Sequence, residues 1–359
     1  MRGGINMRKL FSIIIPSYNM EKYLDKCIGS CIIDDDALLQ QLEVLVVNDG
    51  STDRTSEIGH SWERNYPGVV RVIDKMNGNY GSCINAALPI VSGMYVKVLD
   101  ADDYLETVNF AASLRKLSEL AQEQDPIDLF VSQYATVDEA GNVSSVADFG
   151  LEGEGYKVFA DKRADTPRFT IHSIVYRTEI LRKLNYRQTE GISYTDTEWI
   201  IEPMALVRRF YYFNQVVTKY LVGRAGQTME AETFRRRFQQ VVDVTHAIVS
   251  RFDHICAMAH PDSVAFYEKL VLQMVELVYS AAIWGWQNGP VTCDLKAFDN
   301  SLQKNSRLYI ASSRFIRSTR LFTFAYVAEW RRRQTAVTFK FYGYRGYCRL
   351  RKMLKAFGI

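Results

Sequence analysis

Asp100, Asp102 and Asp103 close the apolar run 95–99 in the segment VLDADDY. Carboxylates this close together at the end of a buried strand repel one another and lose hydration, so something cationic should neutralise them. A divalent ion is the simplest neutraliser. An Asp-x-Asp offers hard oxygen ligands, and Mn²⁺ or Mg²⁺ commonly binds one or two carboxylates together with substrate phosphates. Taken alone, the triplet reads more readily as a solvated acidic loop, so its meaning depends on what the chain places beside it.

The elements around it are legible from periodicity. Short apolar runs at 11–15, 42–47, 69–73 and 95–99 alternate with amphipathic stretches at 21–33, after the capping residues Ser51, Thr52 and Asp53, and at 82–88. That alternation predicts an α/β fold, with a mostly parallel sheet covered by helices on both faces. In open sheets of this kind ligands bind beyond the carboxyl ends of the strands. Polar clusters at 16–19, 48–53 and 100–103 fall at three such ends, which predicts one crevice. Further on, the pattern gives a helix over 108–124 and a hairpin over 128–143 turned at 138–142. A less regular stretch runs to 168. A strand at 174–176 and a helix at 179–184 follow, then a loop holding Glu190 and Asp196. A helix over 197–207 and separate strands near Phe210 and Val217 complete this part. Periodicity is mostly helical beyond Ala231, so a catalytic-type domain over 8–230 and a helical C-terminal region over 231–359 are expected.

A chain of 359 residues, 47% hydrophobic and 24% charged, is long enough for one large core plus an appendage. A net charge of +3 gives no reason to expect nucleic acid. The charge is uneven, however. No acid follows Arg331, while Arg331, Arg332, Arg333, Lys340, Arg345, Arg349, Arg351, Lys352 and Lys355 interleave with aromatic residues. Such a tail suits either an anionic membrane surface or a helical end that packs its rings inward. The six cysteines form no CxxC pair, which fits a reducing compartment, and Cys27 and Cys31 read as buried thiols. The N-terminus lacks a signal-like apolar run, and the stretch 270–286 is interrupted by Gln273 and Glu276. A cytoplasmic protein, peripheral on the inner membrane face at most, is expected.

The segments IIIPSYN (13–19), VVNDGSTD (46–53) and VLDADDY (98–104), in that order, closely resemble the nucleotide-sugar-binding half of family 2 glycosyltransferases. The resemblance implies a GT-A fold and inverting transfer of a sugar from a nucleotide donor, UDP-linked, to a saccharide or lipid-linked saccharide acceptor. It implies nucleotide contacts from Pro16, Tyr18, Asn19, Glu21, Asp49, Asn77 and Asp100, with Tyr18 lining the base pocket, Asp49 on uracil and Asp100 on ribose. Asp102 would bind the metal, and Asp103 would assist the metal or the sugar. Family members often carry Ala-Arg-Asn where this chain has Cys83, Ile84 and Asn85, so either the nucleotide is held differently at that wall or Asn77, Asn79 and Tyr80 replace the missing basic contact. The family's general base matches Asp196 in EGISYTDTEW (190–199), with Glu198 the substitute and Glu190 a donor or acceptor contact. Asp196 also suits the N-cap of a helix opening at Thr197. Arg224, in GRAGQT (223–228), would stabilise the departing diphosphate. His172 reads as a satisfied core histidine.

Two other readings compete. A nucleotidyltransferase would need a Gly-rich basic loop after the first strand, and 16–22 contains no glycine. A non-catalytic carbohydrate- or membrane-binding scaffold would show no sugar transfer or donor hydrolysis.

Overall fold

The computed structural model describes residues 9–159, 169–224, 230–287, 289–314 and 326–333. Strand β1 (Phe11–Ser17) is buried along its whole length, as its unbroken FSIIIP run requires of a central strand. Helix α1 (Leu24–Cys31) returns over the sheet, burying Leu24, Cys27, Ile28 and Cys31 at helical spacing. The short α2 (Asp36–Leu39) leads to β2 (Leu42–Asn48), α3 (Thr55–Asn65), β3 (Val70–Asp74) and α4 (Asn79–Ala87). Next come β4 (Tyr95–Val98), the two-residue β5 (Tyr104–Leu105) and α5 (Thr107–Ala121), whose Phe110, Leu114, Leu117 and Leu120 pack onto the same core. Ile13 and Ile15 are fully buried there. Cutting either back to alanine would cost roughly 2–5 kcal/mol.

The sheet continues with β6 (Leu129–Val137), β7 (Val143–Val146), β8 (Gly155–Val158) and β9 (Ile174–Arg177). After α6 (Thr178–Lys183) and α7 (Asp196–Ile201) it ends with β10 (Arg209–Leu221). Its order is β3-β2-β1-β4-β9-β6-β10-β5, with β7 beside β6 and β8 beside β10. Strands β3, β2, β1 and β4 are mutually parallel, whereas β9 runs antiparallel between β4 and β6. The parallel half sets the ends of β1, β2 and β4 at one edge. The hairpin read over 128–143 is β6 and β7.

Two local expectations change. Val207 does not end a continuous helix, because Pro203 interrupts α7 and the chain continues as a 3-10 turn over Pro203–Leu206. The separate strands near Phe210 and Val217 are one strand, irregular in register between Phe213 and Thr218, where exposed Asn214 and Gln215 interrupt the apolar pattern. Strand β8 lies in the stretch that looked irregular.

The remaining helices are α8 (Ala231–Arg236), α9 (Phe238–Met258), α10 (Pro261–Trp284), α11 (Leu295–Leu302), α12 (Ser306–Arg314) and α13 (Tyr326–Arg333). The chain forms two compact units, Met1–Gln227 with Arg251–Tyr267, and Thr228–Ser250 with Glu268–Ile359. They interleave where the sequence suggested one cut after residue 230. In the second unit Tyr279 meets Phe298 and Trp330 edge-on, each at 5.8 Å. Arg331 is not a surface cation of a basic tail. Its side chain is 9% exposed and bonds Asp299 at 2.7 Å. Lys340, Arg345, Arg349, Arg351, Lys352 and Lys355 lie outside the described residues. Among the described residues no helix is long and apolar enough to cross a membrane.

Candidate active site

The end of β2 builds one wall. Asp49 is buried, and its Oδ1 accepts from Lys75 Nζ at 2.6 Å and from the Gly78 backbone at 2.9 Å. Asn77 Nδ2 donates to the Asp49 carbonyl at 3.0 Å. The 75–78 segment passes so close that a Cβ on Gly50, whose φ is +72°, would meet the Asn77 nitrogen at 2.9 Å. Lys75 was not singled out from the sequence, although a lysine directly after an apolar strand, one strand over from an acid, was the available signal.

Tyr18 follows β1 with 48% of its surface exposed, leaving an open ring beside this wall's strand. Pro16 sits within β1, buried and in register with Val47. Asn19 takes a left-handed backbone (φ +53°) and its Oδ1 accepts from Thr52 N at 2.9 Å. Glu21 Oε2 accepts from Arg54 N at 3.1 Å. These two polar side chains tie the loop after β1 to the loop after β2.

The acid loop leaves β4. Asp100 Oδ1 accepts from Tyr80 Oη at 2.7 Å. Burial, reinforced by Asp103, pushes its carboxyl up to about 7. Asp103 accepts from Leu221 N at 2.9 Å through Oδ1, while its buried Oδ2 lies 3.0 Å from His172 Nδ1 and receives no hydrogen bond. Burial and Asp102 raise its carboxyl as well. The irregular register of β10 lets Thr218 bond the His172 carbonyl at 2.8 Å and stacks Tyr220 on the His172 ring at 4.0 Å. Lys97, buried in β4, donates to the same carbonyl at 2.7 Å, and burial lowers it to about 8. Burial also holds His172 down at about 4, so its ring is neutral at pH 7.

Asp102 pairs with the Arg224 guanidinium. Residues 225–228 of that arginine's loop lie outside the described residues. The groups able to surround a cation are Asp100, Asp103 and His172, whose ligand atoms all fall within 4.8 Å of one another. The unbonded Asp103 Oδ2, the raised acids and the neutral imidazole fit a divalent ion. His172 thus belongs to the acid cluster as well as to the core, a role that an isolated histidine could not reveal in the sequence.

The third wall comes from the loop before α7. Asn85 bonds Gln188 in both directions, at 2.8 and 2.9 Å, and holds Glu190 Oε1 at 2.8 Å. Glu190 is also paired with Arg187 at 2.7 Å. Asp196 is the first residue of α7, with Thr195 at the cap position, so the helix opens one residue before the position that would have made Asp196 its cap. Burial lifts the Asp196 carboxyl above its ordinary range. Burial, with the charges of both Asp100 and Asp196, raises the Tyr80 hydroxyl well above its ordinary range. Glu198, expected at the acceptor, is fully buried and bonded instead to Thr189 and Arg251.

A model of glycosyl transferase family 2 matches residues 12–185, a segment that contains the first two walls. Residues 12–185 are thus of glycosyl transferase family 2 type. It is 42% identical over 102 residues to hyaluronan synthase of Pasteurella multocida, covering 28% of this chain and 10% of that one. It is 42% identical over 97 residues to chondroitin synthase of Pasteurella multocida (strain Pm70), covering 27% and 10%. The aligned part is thus about a tenth of the length of these relatives. The crystal structure of S. aureus TarS 1-349 superposes with a TM-score of 0.60 at 18% identity, over 85% of this chain and 84% of that one. The family 2 fold here is GT-A, with a helical C-terminal region.

Proposed function

We propose that this chain is an inverting glycosyltransferase that moves a sugar from a UDP-sugar to an acceptor hydroxyl in surface polysaccharide or glycolipid synthesis. The observation that carries the reading is the gathering of Asp100, Asp103 and His172 after β4, tied through Tyr80 and Gly78 to the Asp49–Lys75 wall after β2. TarS has been crystallised with UDP and with UDP-GlcNAc, and the matched relatives are named for hyaluronan and chondroitin, which supports a nucleotide sugar and a polysaccharide product.

Tyr18 would stack on the base and Asp49 would accept from the uracil imide, with Lys75 keeping its carboxylate in place. Asp100 would take the ribose hydroxyls. The side chain of Asp102 keeps 12% exposure where Asp103 keeps none. Asp102 would therefore reach a Mn²⁺ or Mg²⁺ ion from the open side, with Asp103 and His172 behind it. When bound, that ion supplies positive charge against the diphosphate. Arg224, exchanging Asp102 for phosphate oxygens, would add a planar donor pair for the leaving group. Asp196 would accept the acceptor hydroxyl's proton as the new bond to the anomeric carbon forms and the bond to the diphosphate oxygen breaks. A carboxylate lifted towards neutrality is a better proton acceptor than an ordinary one.

The test is release of UDP from a panel of UDP-sugars by purified protein, with Mn²⁺, with Mg²⁺ and with chelator. Turnover of at least one donor, lost on chelation, is expected. No release from any of them would end the reading.

A further inference from the structure

Helix α7 contains an acid that the reaction just described does not use. Glu198 is completely buried, yet its carboxylate makes three bonds. Oε2 accepts from Thr189 N at 2.7 Å, Oε1 accepts from Thr189 Oγ1 at 2.7 Å, and the Arg251 guanidinium of α9 closes the set. Arg251 is shared with Glu202 at 2.7 Å. A buried ion pair of this kind is seldom the most stable filling for its space. What it provides here is orientation, since both polar groups of one residue are held by one carboxylate.

Thr189 is itself wedged. Its carbonyl lies where a Cβ on Gly81 of α4 would have to be. The next residue of α4 towards its N-terminus is Tyr80, the donor to Asp100. Gly191 N bonds the Gly78 carbonyl at 2.9 Å, and Asn85 grips Gln188, so the whole 188–191 segment is laid along α4. Between that segment and Asp196 the chain passes through Tyr194 with φ +66°. A bulky residue costs about 1–3 kcal/mol there and stays only where its surroundings over-determine it.

We infer that Glu198 is a positioning residue: by clamping Thr189 against α4 it sets the separation between Asp196 and the Tyr80–Asp100 pair, and hence between proton acceptor and donor sugar. The inference rests on Asp196 being the general base, and the test separates the two. Glu202 keeps Arg251 paired when Glu198 is changed, so Glu198→Gln and Glu198→Ala should both fold. Turnover of whichever UDP-sugar the wild-type protein uses is measured with its acceptor. Hydrogen–deuterium exchange is followed over the chain.

Misplacing a reacting group by about 1 Å costs on the order of 100-fold. In Glu198→Ala, kcat is expected to fall about that much with the donor KM within two-fold, and protection should be lost over 186–196 alone. Glu198→Gln, which keeps an oxygen for Thr189, should recover about ten-fold of it. Unchanged kcat in both variants would overturn the inference. So would protection lost equally in β1 and β2 with donor KM rising in step, because that marks a general packing role. Asp196→Asn is run beside them. If it transfers at the wild-type rate, the base assignment fails, and the clamp then stands or falls on the exchange pattern over 186–196.

Discussion

Two buried acid sites in this chain have opposite character. In the second unit, Asp299 lies under Arg331, which bonds it at 2.7 Å and also reaches the Tyr279 hydroxyl at 3.0 Å and the Tyr309 carbonyl at 2.9 Å. The guanidinium further stacks over the Tyr309 ring at 3.6 Å. Charge and hydrogen-bonding capacity are both met by protein. In the first unit, buried Asp103 lies beside half-buried Asp100, with Lys97 and His172 pushed towards their neutral forms and one Asp103 carboxylate oxygen without a hydrogen bond. A protein keeps acids in that state at a cost, and the cost makes sense where a cation and a diphosphate complete the site. Sealed acids mark structure and unmet ones mark chemistry.

The largest test of this contrast is in the sealed site. Asp299→Ala leaves Arg331 buried without its counter-charge and should lower stability by about 3–5 kcal/mol, read as a fall in the chemical denaturation midpoint. Sugar transfer per folded molecule should not change. A loss under 1 kcal/mol would show that Arg331 finds water and that the pair is not a keystone. In the unmet site the sign reverses. Asp103→Asn keeps an oxygen for the Leu221 N–H and removes a repelling charge, so the protein should gain about 1 kcal/mol. The same change should abolish the rise in melting temperature that Mn²⁺ gives the wild type. Calorimetry with and without Mn²⁺ measures both. A loss of stability instead would mean that Asp103 is already compensated.

The same contrast explains what the sequence disclosed. The strands of the parallel half were legible because β1, β2 and β4 are continuous apolar runs ending in polar clusters, and their shared direction put Asp49 and Asp100 at one edge. The interruption at Asn214 and Gln215 hid the continuity of β10, since two exposed polar residues in a strand look like a break until the register slip is seen. The partners of the acids were not legible. Lys75, His172 and Arg251 come from distant positions, and nothing local marks a lysine or an arginine as the one that meets a given carboxylate. Arg331 shows the converse, because it follows the pattern of a solvated basic tail and is the best-buried cation of α13 that the structure describes. Composition reports how many charges a segment has, while burial decides which of them remain available.

The smallest expected effect is a pH dependence of the apo protein. Asp100 titrates near 7 when folded and near 4 when unfolded, so between those values the folded state holds more protons and stability falls as pH rises. His172 works the other way, but only between its folded value of about 4 and its unfolded value near 6.5. Lys97, lowered to about 8, contributes only above that pH. Above pH 6.5 His172 no longer opposes this, so the melting temperature of the metal-free protein should drop as pH rises from 6.5 through 7, by about 2–4 °C for each kcal/mol lost. His60, raised by its bonds to Asp74 and Glu63, acts in the same direction. Mn²⁺ should offset more of that drop at pH 8 than at pH 6.5, because ionised carboxylates are its ligands. In Asp100→Asn the slope should flatten across this window. Glu202, also held near 7 beside Arg251, and Asp103, Asp196 and His60, all raised, set the background that survives the substitution. A slope that Asp100→Asn leaves intact would assign the drop to those groups and not to Asp100.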